Sequence, residues 1–232
     1  MVLKNPIATG NTADIYLCDG KIVKSFKDFL PETEATYEAN KQRYAHARGL
    51  AVPRVFEVTK INGRNAIIME YIHGKTMRDI VVNDMTKLEH YINLSIDIQL
   101  KIHAVKANDF ELMSDKLHKN LLSATLLNER QKNTLIRKLH GMQYEKRLCH
   151  GDFHLSNIIC NTDSAVIDWV DSSAGDVKAD VCRTYLLYAQ HSLELAELYL
   201  RAYCEKSGLA QNDILAWQPI IAGARLSENA AS

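Results

Sequence analysis

Two dipeptides, Asp19-Gly20 and Asn62-Gly63, constrain the N-terminal part of this chain more than any other feature. Each sits between short runs rich in β-branched and aromatic residues. Ile7–Leu17 and Lys21–Phe26 flank the first; Val55–Val58 and Ala66–Tyr71 flank the second. Both dipeptides tolerate positive φ, so each pair of runs reads as a hairpin and the region as an antiparallel sheet. One helix interrupts it. Pro31 suits a first helical turn, Glu32 and Glu34 favour the positive end of the dipole, Gly49 closes the helix after about Arg48, and Pro53 blocks continuation.

After Gly74 the pattern becomes helical. Thr86 and Glu89 have capping-box spacing. Leu88, Tyr91, Ile92, Ser95, Ile98 and Ile102 then form a stripe of helical period. Shorter helices are expected near 115–127 and 129–140, a strand over 165–170 after the turn at 161–164, and helix again from about Val177. The expected architecture is α+β and bilobal. Residues 1–72 form a small antiparallel-sheet lobe with one helix, and residues 73–232 a larger, mostly helical lobe.

Composition narrows the function classes. The chain has 232 residues, 47% of them hydrophobic, enough to bury a real core. Its 28 basic side chains balance 28 acidic ones, which gives no support to nucleic-acid binding by broad electrostatics. No apolar run approaches a membrane span. The five cysteines include no C-x-x-C pair, and the N-terminus lacks the apolar core of a secretory signal. The expectation is a reduced, cytoplasmic protein with neither a nucleic-acid nor a membrane partner. The oligomeric state is left open.

The most informative segment is Cys149-His150-Gly151-Asp152-Phe153-His154-Leu155-Ser156-Asn157-Ile158. It places an Asp two residues after a His and an Asn five residues after that Asp, the spacing of a kinase catalytic loop. Such a loop needs one carboxylate to face an acceptor hydroxyl and one amide oxygen to face a magnesium ion. Asp168 follows in Val166-Ile167-Asp168-Trp169, at the end of an apolar run, and can supply a second oxygen ligand.

HGDFHLSN followed by IDW closely resembles the signature of the aminoglycoside phosphotransferase family, a small-molecule branch of the protein-kinase-like fold. The usual Pro-Gly before the Asn is Leu155-Ser156 here. The resemblance extends from about residue 5 to about residue 185 and implies the remaining roles. Lys24, in Ile22-Val23-Lys24, is the lysine that bridges phosphates. Glu38 is its helix partner, with Glu34 one turn earlier as the competing choice. Met69, Glu70, Tyr71 and Ile72 resemble the hinge that binds adenine through backbone groups. Thr9, Gly10, Asn11 and Thr12 form the loop over the nucleotide, although only one glycine of the protein-kinase pattern remains. Asn157 and Asp168 would hold Mg2+, and Asp152 would be the catalytic carboxylate. His150, His154 and Asp180 would support the loop. Magnesium disfavours imidazole, so neither histidine reads as a ligand.

Other residues were weighed against plainer roles. Cys149 and Cys160 flank the motif at apolar positions and read as packing. Tyr185, Tyr188, Tyr199 and Tyr203 could form a cation-binding cage, but near-helical spacing favours packing. Asp171 is a candidate contact for a cationic acceptor.

The resemblance implies an ATP-dependent phosphotransferase acting on a small-molecule hydroxyl, with GTP the alternative nucleotide. The acceptor is an aminoglycoside-like drug or, alternatively, choline, another amino alcohol or a sugar. A pseudokinase-type nucleotide-binding module is the reading from another class. The polar end, Leu226–Ser232, and a length short for the family suggest a trimmed or frayed terminus, or a reduced acceptor lid.

Overall fold

A computed structural model describes residues 3–160, 162 and 164–228. In chain order the elements are β1 (Ala8–Thr9), β2 (Ala13–Cys18), β3 (Lys21–Phe26), α1 (Glu34–Ala47), β4 (Val55–Ile61), β5 (Arg64–Glu70), β6 (Lys75–Thr76), α2 (Met77–Asn83), α3 (Leu88–His103), α4 (Met113–Ser123) and α5 (Glu129–Gly141). There follow β7 (Arg147–Cys149), β8 (Ile158–Cys160), β9 (Ala165–Val166), β10 (Ser173–Gly175), α6 (Val177–Ala189), α7 (Leu193–Ser207), α8 (Gln211–Leu215) and α9 (Gln218–Arg225). The chain divides into two compact units, Met1–Ile80 with Ser156–Val170, and Val81–Leu155 with Asp171–Ser232. They are therefore not consecutive halves of the sequence, because a short segment following the HGD motif belongs with the first unit.

The first unit is built on an antiparallel sheet of order β1-β2-β3-β5-β4. Asp19 and Gly20 have φ of 50° and 71°, and Asn62 and Gly63 of 52° and 85°. These positive values at both central positions are what two-residue hairpins of this twist need. Arg64 locks the sheet by donating to the Phe26 and Ser25 carbonyls and to Asp14 at 2.6, 3.1 and 2.9 Å. On one face Ala35 and Ala39 of α1 pack with Ala13, Phe26, Val55, Ile67 and Met69. Small side chains on α1 let helix and sheet approach closely. The same helix also buries Glu38, Lys41 and Gln42. Gln42 donates to the Pro53 carbonyl at 2.7 Å. A second, three-stranded sheet, β6-β8-β9, belongs to this unit. The Val166 N–H donates to the Ala51 carbonyl at 2.8 Å.

The second unit is helical around Trp217, Tyr199, Tyr203, Ile92, Ile96, Ile102, Leu121 and Leu148, all fully buried. Its helices are capped by sequence-local chemistry. Asn128 and Gln131 form a reciprocal capping box on α5, Ser192 caps α7, and Gly208 ends α7 with φ of 73°. Asp176 caps α6 and also accepts from Trp217 Nε1 at 3.0 Å. The two-stranded sheet β10-β7 lies in this unit.

Several local expectations shift. The first helix begins at Glu34, beyond Pro31 and Glu32, since Pro31 closes a preceding turn by accepting from the Glu34 N–H. Thr86 and Glu89 form no capping box. Thr86 lies within a 3-10 turn (Met85–Lys87) capped by Asp84, whose carboxylate accepts from the Thr86 N–H at 3.2 Å and takes the role Thr86 would have played. The helix near 115–127 begins at Met113 and ends at Ser123. The strand expected over 165–170 is only Ala165–Val166, because Asp168 turns away with φ of 64°. Residues 229–232 of the polar C-terminal end lie outside the described residues, as do 161 and 163 of the turn before β9.

Trp217→Ala should destabilise the protein by about 3–5 kcal/mol through a large cavity. Trp217→Phe should cost only about 1–3 kcal/mol, chiefly for the donor lost to the buried Asp176. Equilibrium urea unfolding of both variants checks the order.

Candidate active site

The first unit assembles a charged cluster from three separate stretches of chain. Lys24 lies on β3 with its side chain only 12% exposed. Its Nζ is 2.6 Å from Glu38 Oε1 and 3.3 Å from Asp168 Oδ1. Glu38 is the α1 carboxylate that meets the lysine; Glu34, a turn earlier, has no such bond described. Burial alone would lower the Lys24 pKa, but the charges of Glu38 and Asp168 outweigh it and raise it, so the ammonium is firmly held. Burial pushes the Glu38 carboxyl up against the pull of Lys24, and the nearby Asp168 adds to that rise. The Asp168 carboxylate is 40% exposed and so remains open to a ligand.

Asp168 occupies the left-handed region, a strained conformation for a residue with a side chain. Its neighbours hold it there. The Ile167 N–H donates to the Asn157 carbonyl at 2.9 Å, and Trp169, fully buried, donates from Nε1 to the Val166 carbonyl at 3.0 Å. Ile158 and Val166 pair across β8 and β9. Asn157 and Asp168 thus flank one short antiparallel pair. Lys41 of α1 donates to the Val170 carbonyl at 2.9 Å and anchors the far end of this segment. The sequence pattern of α1 gives no sign of this role for Lys41.

The second unit holds the loop of the HGD motif. Gly151 has φ of 83°, and a Cβ there would press on the Asp171 carbonyl, so glycine is required at this place. The Gly151 and His150 N–H groups donate to the Asp180 carboxylate at 2.7 and 3.4 Å. Gln99 Nε2 and His103 Nε2 approach the same carboxylate at 3.2 and 2.9 Å. Asp180 is fully buried, which opposes its ionisation, but His103, the Gly151 N–H and His150 outweigh burial and lower its pKa. The Asp152 N–H donates to His150 Nδ1 at 3.2 Å, and His154 Nε2 lies 3.3 Å from Asp152 Oδ2. Burial would raise the Asp152 pKa. The hydrogen bond and charge of His154, then Arg183 and His150, bring it down to about 2, so Asp152 is ionised at neutral pH.

The motif does not point to His103 and Gln99 as loop supports; their signal in the sequence is two polar residues four apart on the buried face of α3. His103, Cys149 and Asp180 lie close enough to suggest a metal. Their chemistry argues otherwise. Both ring nitrogens of His103 have partners, Tyr203 Oη at 2.7 Å and Asp180. Burial, reinforced by Asp180 and Asp176, pushes the Cys149 thiol well up, away from the thiolate a metal needs. Tyr185, Tyr188, Tyr199 and Tyr203 pack in the core and form no open cage.

The remaining predicted positions are placed as follows. Thr9, at the end of β1, and Gly10, Asn11 and Thr12, between β1 and β2, lie exposed, with the Gly10 N–H donating to the Ala13 carbonyl at 2.9 Å. Met69 is buried at the end of β5. Glu70 pairs with Arg54 through its backbone N–H and its side chain. Tyr71 stacks at a tilt on His73, with ring centroids 4.4 Å apart, and Ile72 is half-buried.

A lysine held by two carboxylates, an Asn/Asp pair of oxygen donors and an ionised loop aspartate are the parts expected of a phosphotransferase of the protein-kinase-like class. The chain belongs to the phosphotransferase enzyme family (APH), whose model matches residues 5–215. No curated protein matches the sequence. Among solved structures, an apo thermostable mutant of aminoglycoside phosphotransferase APH(4)-Ia superposes with a TM-score of 0.71 at 15% identity, covering 100% of this chain and 88% of that one. A ternary complex of that enzyme (N202A) with AMP-PNP and hygromycin B gives 0.72 at 15% identity, with 97% and 85% covered. A choline/ethanolamine kinase family protein from Mesorhizobium loti gives 0.66 at 14% identity, with 100% and 79% covered. At these identities the likeness is one of fold.

Asp180→Ala would leave buried donors without their acceptor and should cost about 3–5 kcal/mol. Asp180 and Asp152 both have folded values below the ordinary one. The stability they contribute is therefore fully present above about pH 4 and is lost as pH falls through their folded values. Acid unfolding should steepen below about pH 4 in the wild type and be flatter in Asp180→Ala.

Proposed function

We propose that this protein transfers the γ-phosphoryl group of ATP to a hydroxyl of a small molecule. The observation that carries the reading is the Lys24 ammonium, bonded to both Glu38 and Asp168 and held in its charged form. Lys24 would receive the α- and β-phosphates, with Glu38 fixing its position. Backbone groups of Met69–Ile72 would take the adenine, and residues Thr9–Thr12 would cover the phosphates. This assigns nucleotide binding to residues 1–72, and catalysis and acceptor binding to residues 73–232. The AMP-PNP and hygromycin B in the similar APH(4)-Ia structure support a nucleotide and a small hydroxyl compound as the two substrates. GTP remains the alternative donor.

The donor chemistry fits magnesium. Asn157 and Asp168 offer an amide and a carboxylate oxygen from either side of the β8–β9 pair, and Asp168 is open to solvent. When bound, the ion would neutralise charge on the transferred phosphate. Asp152 does the acceptor chemistry. Ionised, and positioned by His150 and His154, it orients the acceptor hydroxyl and takes its proton as the new O–P bond forms and the bond to the ADP oxygen breaks. Most of the rate would come from positioning and charge stabilisation.

The pseudokinase alternative fits less well, since a binding module has no need of Lys24, Asp152, Asn157 and Asp168 together. Five free cysteines and the lack, among the described residues, of any helix long and apolar enough to cross a membrane support action in the reducing cytoplasm.

Asp152→Asn should lower acceptor-dependent ADP release by about 100-fold or more while the affinity for Mg-ATP is retained. The check is a coupled ADP assay paired with equilibrium nucleotide binding. Normal turnover by this variant would refute the role of Asp152. Chelation of magnesium should abolish release in the wild type.

A further inference from the structure

The second unit contains a pocket beside the catalytic loop, lined by Met113, Lys116, Gly151, Asp171, Arg183 and Glu228 among others. Two of its acidic groups, Asp171 and Asp180, already have partners within the chain. Lys116 reaches the Asp171 carboxylate at 3.2 Å and the Asp171 carbonyl at 2.8 Å. Asp180 is committed to His103, Gln99 and the loop N–H groups. Asp171, the candidate contact for a cationic acceptor, thus already shares its carboxylate with Lys116.

The cations are arranged differently. Arg183 on α6 and Arg225 at the end of α9 converge on one carboxylate. Arg183 Nη1 lies 2.7 Å from Glu228 Oε1, and Arg225 Nε 3.5 Å from Glu228 Oε2. The second guanidinium is steadied by its Nη2 bond to Gln190 at 3.0 Å. Arg183 is largely buried, yet its Nε makes no hydrogen bond. A purely structural clamp has no reason to leave a buried donor of a planar fork unmade. An oxyanion that replaced the Glu228 carboxylate and used both donors of the fork would satisfy it. Arg183 also stands close enough to Asp152 for their charges to interact, so an anion seated here would lie beside the catalytic carboxylate.

We infer that Arg183, which lines this pocket, and Arg225, which meets it at Glu228, form an oxyanion-binding subsite, that Glu228 is its internal occupant, and that the acceptor is a hydroxyl compound bearing a carboxylate or phosphate. This rests on the phosphotransfer reading for the acceptor's role, but not for the existence of the subsite. It sets the acceptor apart from polycationic or amino-alcohol compounds. Arg matches both oxyanions through paired N–H donors, whereas an ammonium group here would meet two like charges. Glu228, 36% exposed, can be displaced without opening the core.

Two measurements on the full chain test this. The first is thermal unfolding with Mg-AMP-PNP saturating the nucleotide site and inorganic phosphate as probe, against sodium chloride at equal ionic strength. Glu228→Gln should gain about 3–5 °C at phosphate ten times its dissociation constant. The wild type should gain less, and Arg183→Gln/Glu228→Gln nothing. No phosphate-specific gain in Glu228→Gln, or an equal gain in the double variant, overturns the subsite. The second is ADP release with four matched acceptors: glucitol, gluconate, glucitol 6-phosphate and glucamine. Either anion should exceed glucamine by about 100-fold in kcat/KM, and the better of the two identifies carboxylate or phosphate. Preference for glucamine or glucitol overturns the proposal while leaving phosphotransfer intact. Phosphate stabilisation of Glu228→Gln with no ADP release for any acceptor supports the subsite and refutes the phosphotransfer reading.

Discussion

The catalytic loop depends on one buried carboxylate. Asp180 accepts from two loop N–H groups and from Gln99 and His103. A charge withdrawn from water in this way is tolerated only because nearly every lone pair is used. The result is positional. With His150 and Gly151 pinned by their N–H groups, the next residue, Asp152, has little freedom. His150 then accepts the Asp152 N–H, and His154 approaches its carboxylate. The loop is thus held largely from its backbone, which leaves the Asp152 carboxylate ionised and partly accessible.

The first unit solves a similar problem with buried donors. Lys24, Lys41 and Gln42 place polar heads in the interior, and each has a defined acceptor: two carboxylates, the Val170 carbonyl and the Pro53 carbonyl. α1 therefore has a poorly apolar inner face, relieved by Ala35 and Ala39, and its stability rests on these matched bonds as much as on burial. The strained backbone of Asp168 belongs to the same economy. Left-handed geometry is held by flanking hydrogen bonds and by Lys24 at the position where a carboxylate has to stay exposed.

Net charge had little to say about the acceptor, because its answer is local. The chain balances 28 against 28, yet two guanidinium groups share the Glu228 carboxylate beside the catalytic loop. Asp171, the candidate contact for a cation, already pairs with Lys116 through one oxygen. Spacing along the chain contains neither fact, since Arg183 and Glu228 lie far apart in sequence and meet only when α6 and the segment after α9 pack.

What the sequence determined by itself was local or written in short motifs. The Asp-Gly and Asn-Gly turns required positive φ, which made hairpins; HGDFHLSN with IDW demanded a loop with oxygen donors and a carboxylate at set spacing. Those requirements act within a few residues, so they survive without knowledge of the fold. The choice of Glu38 over Glu34, the support of Asp180 by Gln99 and His103, the anchoring role of Lys41 and the convergence of Arg183 and Arg225 were decided only by tertiary structure. The reason is physical: a buried polar side chain is placed by whichever distant partner satisfies it, and that partner is selected by packing rather than by periodicity.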